Sequence, residues 1–142
     1  MMEKIKVLIY APIRWLNAEC AYILSLVPGL MERGMEIVIM ASPGNPILEE
    51  AKKLGIRVEG RFDLLTLNPI KLSKTLPLLK RWLEQERFDI IDVHRSEGFA
   101  LIARLVNKLN PKPCLVRTRQ DMRPARSDPI NRRTYHQADL II

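Results

Sequence analysis

The chain has 142 residues, 47% apolar and 27% charged, and 23 Lys and Arg against 16 Asp and Glu give a formal net charge of +7. That composition supplies one domain with a sizeable core and excludes a disordered tail or a linker. The longest apolar run, Val7 to Ile13, is far shorter than the roughly 18 residues that cross a bilayer. It contains Tyr10 and Pro12 and leads to no small-residue cleavage site, so it also reads poorly as a signal peptide.

In chain order, Lys6-Val-Leu-Ile-Tyr10 is a buried strand that stops at Ala11-Pro12. Asn17 is placed to cap the next helix, Glu19 suits its positive N-terminal end, and Gly34 is placed to close it in the left-handed conformation. Ile23, Leu26, Leu30 and Val27 mark its inner face, and Pro28 predicts a kink or split. Glu36 to Ala41 is a second buried strand, delivered into Ser42-Pro43-Gly44-Asn45-Pro46. A short helix runs from Pro46 to Leu54, Gly55 ends it, and Ile56 to Glu59 is a brief third strand. From Asn68 to Glu86, Leu72, Leu76, Leu79 and Leu83 recur at helical spacing beside Trp82, with a break expected at Pro77. Phe88 to Val93 is a fourth strand ending at His94. Gly98 to Leu109 reads as a helix with Ala100, Leu101, Leu105 and Leu109 inward. Cys114 to Thr118 is a fifth strand, Pro129 to Gln137 a helix with proline at its start, and Leu140 to Ile142 a sixth strand. Strands alternating with helices, the strands nearly all apolar, predict a doubly wound α/β fold: a mainly parallel sheet of about six strands with helices on both faces.

Charge is uneven along this plan. Residues 1 to 93 hold 13 basic and 12 acidic side chains, and residues 94 to 142 hold 10 and 4. Arg117, Arg119, Arg123, Arg126, Arg132 and Arg133 face only Asp121 and Asp128 in sequence. Guanidinium forks suit phosphate or carboxylate, and the alternative is a solvated basic surface. Nucleic acid is not expected, because no aromatic stacking platform or zinc module accompanies the arginines. Cys20 and Cys114 form no metal or disulfide spacing and are expected to be reduced and packed. With only His94 and His136 besides, no metal site is expected.

Ligands of doubly wound sheets bind beyond the carboxyl ends of the strands, which selects loops 11–17, 42–46, 94–98 and 118–128. No GxxxxGK[ST] or GxGxxG sequence occurs. The first loop offers Arg14, Asn17 and the helix amides behind them, while Trp15 either plugs the packing or stacks on a sugar or base. His94-Arg95-Ser96-Glu97 is the densest chemistry: an imidazole able to share or shuttle a proton, a guanidinium, a hydroxyl and a carboxylate. Ser96 reads as a cap for the helix beginning at Gly98 rather than a nucleophile, and Glu97 either contacts substrate or favours that helix's first turn. Asp121 serves as a base or as a partner of the arginines.

Several segments in this order resemble a known family. They are Lys6-Val-Leu-Ile9, Leu30-Met-Glu-Arg-Gly-Met-Glu-Ile-Val38, Leu54-Gly-Ile-Arg-Val58, Arg87-Phe-Asp-Ile-Ile-Asp-Val-His94, and Asn131-Arg-Arg-Thr-Tyr135 followed by Ala138-Asp-Leu-Ile141. Together they resemble the N-terminal, Rossmann-like half of GT-B glycosyltransferases of family 4. Val93-His-Arg-Ser-Glu97 and Leu115-Val-Arg-Thr-Arg119 look most like members building bacterial lipopolysaccharide or other surface glycans. The resemblance implies transfer of a sugar from a nucleotide-sugar donor, usually with retention, to an acceptor held mainly by this half. His94 then lies near the transferred sugar, and Arg117, Arg119 and Arg123 hold an anionic glycan or lipid-linked acceptor, with Arg14, Asn17, Arg95, Glu97 and Asp121 around them. Many members have Gly-Gly before Ala-Glu in the first loop. This chain has Leu16-Asn17 before Ala18-Glu19, so that glycine approach to donor phosphates lacks its residues here.

The resulting expectation is a cytoplasmic domain, residues 1–142, cut before a C-terminal donor domain and inactive without it. Neither a cofactor nor a metal is expected, since the nucleotide-sugar is a substrate. The rival expectations are a non-catalytic subunit of a split transferase and a stand-alone anion or nucleotide binder. Lys71, Lys74, Lys80, Arg81 and Arg87 among the leucines of 69–87 are compatible with peripheral contact at the inner membrane face, the alternative being a core-packed helix with a solvated basic face.

Overall fold

A computed structural model describes residues 3–120 and 128–142. Six strands form one all-parallel sheet in the order β3-β2-β1-β4-β5-β6: β1 Lys6–Tyr10, β2 Glu36–Met40, β3 Arg57–Glu59, β4 Ile90–Val93, β5 Cys114–Arg117 and β6 Leu140–Ile141. The helices between them are α1 Ala18–Glu32, α2 Pro46–Lys53, α3 Pro69–Glu86, α4 Phe99–Val106 and α5 Pro129–Tyr135. This is the doubly wound, Rossmann-like fold that the alternation predicts.

Strand periodicity divides the core. Val7, Ile9, Ile37 and Ile39 turn to one face and pack with Cys20, Ile23 and Val27 of α1 and Ile47 and Ala51 of α2. Leu8, Tyr10, Val38, Met40, Ile91, Val93 and Leu115 turn to the other, against Leu79, Trp82 and Leu83 of α3 and Phe99, Ile102, Ala103 and Val106 of α4. Because β1 leads through α1 to β2 on one side and β4 lies on the other, chain order reverses between β1 and β4. A crevice opens there at the carboxyl ends.

Several details depart from the sequence reading. α1 and α3 run unbroken through Pro28 and Pro77, although neither proline can donate to the carbonyl four residues back. Side chains packed on the core from both sides of each proline, Val27 and Leu30 in α1 and Leu76 and Leu79 in α3, hold each helix across the missing bond. In α1, Leu24 and Leu30 join the core margin rather than Leu26. α4 buries Phe99, Ile102, Ala103, Leu105 and Val106, leaving Ala100 exposed and Leu101 half-buried, because its inner face starts one residue earlier than expected. Cys20 is buried but Cys114, first residue of β5, is exposed. As predicted, Gly34 takes a left-handed φ of 88° after α1.

Candidate functional site

At the crevice, main-chain pairing continues one step past the strands. The His94 amide donates to the Tyr10 carbonyl (3.0 Å) and the Thr118 amide to that of Val93 (3.0 Å). These bonds fix the first residue of each loop to the sheet. Beyond them lies an open cleft of about 460 Å³ bordered by Glu19, His94, Arg95, Ser96, Glu97, Arg117, Arg119, Gln120 and Tyr135. Five of the predicted site residues, His94, Arg95, Glu97, Arg117 and Arg119, thus meet Glu19 of α1 and Tyr135 of α5.

His94 is buried, its side chain only 1% exposed. Its Nε2 lies 2.9 Å from Asp92 Oδ2, and the other carboxylate oxygen accepts from Thr118 Oγ1 at 2.7 Å. Nδ1 is enclosed and has no hydrogen-bond partner among the described residues, and the Tyr22 ring of α1 stands 6.3 Å from the imidazole, centroid to centroid.

Arg95 bridges two acids, donating to Glu19 Oε1 (3.3 Å) across the crevice and to Glu97 Oε2 (3.1 Å) beside it. The Arg95 guanidinium holds the Glu97 carboxyl below its ordinary pKa. Glu97 precedes α4, whose N-cap is Gly98 without a side-chain cap. Ser96 is therefore not the cap its position suggested; its carbonyl accepts from the Phe99 amide and its hydroxyl faces Glu97.

Arg117 is buried, and its Nη1 donates to the carbonyls of Val93 and Thr118. Burial pushes the guanidinium below its usual pKa, and the Phe99 ring lies 5.9 Å away. The Arg119 guanidinium sits over the Tyr135 ring at 5.5 Å. Arg117 thus faces the cleft from a fixed, carbonyl-anchored position and Arg119 from an aromatic platform.

The first loop behaves differently. Asn17 caps α1, its Oδ1 accepting from the Cys20 amide at 3.1 Å. Arg14 is exposed and does not border the cleft, and Trp15, 61% exposed, is no packing plug. Asp121, Arg123 and Arg126 lie outside the described residues. No group of three or more His, Cys, Asp or Glu able to hold a metal occurs among the described residues.

Sequence reasoning missed Asp92, Thr118, Glu19 as the partner of Arg95, and Tyr135. The signal for Asp92 was present, since a carboxylate two residues before His94 in an otherwise apolar strand shares the histidine's side of the sheet.

A sequence profile of Glycosyltransferase Family 4 matches residues 21–142. The chain belongs to glycosyltransferase family 4. Its parallel sheet is that of the N-terminal GT-B domain that the sequence resembles. Among solved structures, MurG of Acinetobacter baumannii superposes with a TM-score of 0.73 at 14% identity, over 96% of this chain and 40% of that one. A glycosyltransferase of Rickettsia africae superposes with a TM-score of 0.67 at 15% identity, over 82% of this chain and 30% of that one. At such identities the likeness shows the fold. This family 4 chain spans less than half the length of either structure. A comparison with curated protein sequences gave no match.

Proposed function

We propose that this family 4 domain is the acceptor side of a retaining glycosyltransferase that moves a sugar from a nucleotide-sugar donor to an anionic glycan or lipid-linked acceptor. In this reading a second domain binds most of the donor, and the present chain alone is inactive. The observation that carries it is the gathering of Arg95, Arg117 and Arg119 with His94 around one open cleft at the strand reversal. Arg95 is held between Glu19 and Glu97, and Arg117 and Arg119 border the same cleft, where guanidinium forks suit an acceptor phosphate or carboxylate. An open cleft lined mostly by polar side chains suits a polar acceptor better than a small enclosed metabolite.

No helix among the described residues is long and apolar enough to cross a membrane. α3 buries Leu79, Trp82 and Leu83, yet Ile70 and Leu78 are exposed on it, which keeps contact of this helix with an anionic membrane within the proposal. The test is the product of the whole native gene, assayed for sugar transfer with and without Arg119→Glu. Reversal should raise the acceptor KM about tenfold or more, as loss of a charge-assisted contact does. An unchanged acceptor KM would refute the anionic-acceptor reading.

A further inference from the structure

Asp92 sits near the cleft end of β4, opposite Ile9 of β1 and Val116 of β5. A carboxylate among apolar strands is unfavourable unless its oxygens are bonded. Here both are: Thr118 donates to Oδ1 and the His94 Nε2 lies against Oδ2. The backbones carrying these partners are pinned by the main-chain bonds to Tyr10 and Val93, so the array Thr118–Asp92–His94 has little freedom to rearrange.

In a neutral imidazole one nitrogen carries the hydrogen and the other a lone pair, and the partner of one decides the other. The nitrogen facing a carboxylate must carry the hydrogen. Nδ1 is then left as an acceptor, enclosed and without a donor among the described residues, on a residue that borders the cleft. An orphaned buried acceptor beside a cleft is completed by a donor from outside. We propose that Asp92 and Thr118 are positioning residues that hold His94 as the Nε2–H tautomer, so that Nδ1 accepts a hydrogen bond from a hydroxyl of a sugar bound in the cleft. The sugar rests on the transferase reading above; the tautomer does not.

Nitrogen-15 NMR of the chain's imidazoles tests both parts, with His136 as the internal reference because the sequence has only two histidines. The unsubstituted chain should show His94 protonated at Nε2 and bare at Nδ1; a spectrum showing Nδ1–H overturns the proposal with no variant needed. Asp92→Ala should shift the tautomer ratio severalfold toward Nδ1–H and Thr118→Val should shift it less, with His136 unmoved in both. A folded Asp92→Ala chain with an unchanged His94 tautomer also overturns it. Saturation with glucose 1-phosphate should move the Nδ1 resonance of His94. A bare Nδ1 that ignores this probe overturns the acceptor role, and with the tautomer as expected it places the failure in the sugar reading.

Discussion

Substitution of Glu86 tests whether the amino ends of the strands are held by charge. Glu86 closes α3, its side chain only 16% exposed. It receives two guanidinium nitrogens of Arg57 at the start of β3 and the ammonium of Lys6 at the start of β1, the latter at 2.5 Å. Lys6 also donates to the Glu86 carbonyl at 2.9 Å, so one acid ties a helix end to two strands. The Arg57 guanidinium, followed by Lys6 and against the opposing effect of burial, lowers the Glu86 carboxyl to about 2. Set against the ordinary 4.5, that shift corresponds to about 3 kcal/mol by proton linkage. Arg57 is half exposed, and solvent screening reduces the expected value to about 1–2 kcal/mol. Because the folded carboxyl is depressed, its contribution is complete above the unfolded value and disappears as pH falls toward the folded one. Urea unfolding followed by the fluorescence of Trp82 should show Glu86→Gln about 1–2 kcal/mol less stable at pH 7, with the gap shrinking to less than roughly half near pH 3. A gap constant between those pH values would refute the reasoning, as would no measurable gap at pH 7.

Two further outcomes follow from packing and access. Gly98 has a φ of 79°, and a Cβ there would meet the Tyr10 hydroxyl at 2.9 Å, so Gly98→Ala combines left-handed strain with overpacking. The expected loss is about 2–4 kcal/mol in urea unfolding, and a loss below about 1 kcal/mol would show that the Tyr10 ring can yield. A thiol reagent should modify exposed Cys114 rapidly in the native chain and buried Cys20 only on unfolding, counted by mass spectrometry; two fast thiols would contradict the packing of α1.

The architecture was legible because each strand is a short apolar run between turn residues and each helix between them has a distinct punctuation mark, as with Asn17 and Gly34 around α1. What the one-dimensional pattern weighs badly is competition. It counts Pro28 and Pro77 as breaks because it sees the lost amide and not the side chains packed on the core before and after each proline. It read Ser96 as a cap for a helix beginning at Gly98 because it cannot see that Gly98 itself takes the N-cap place, in a left-handed conformation, with the helix starting at Phe99. The site was legible in its location, since strand ends can be read from sequence, and Arg95, Glu97, Arg117 and Arg119 do gather with His94. Its wiring was not. The bond from Thr118 to Asp92 spans 26 positions and that from Arg95 to Glu19 spans 76, and only the order of strands in the sheet brings those pairs together.

The main-chain bonds that run one step beyond β4 and β5 also set where the domain tolerates redesign. His94 and Thr118 are still stitched to their neighbours, and the Arg119 amide reaches the Ile142 carbonyl at 2.8 Å, whereas the side chains of Arg95, Ser96 and Glu97 hang from a loop that has left the strands. Segment 95–97 is therefore a natural splice point: another loop can be grafted between His94 and Gly98 to change the groups that border the cleft, while the imidazole and its carboxylate stay registered with the strands beneath.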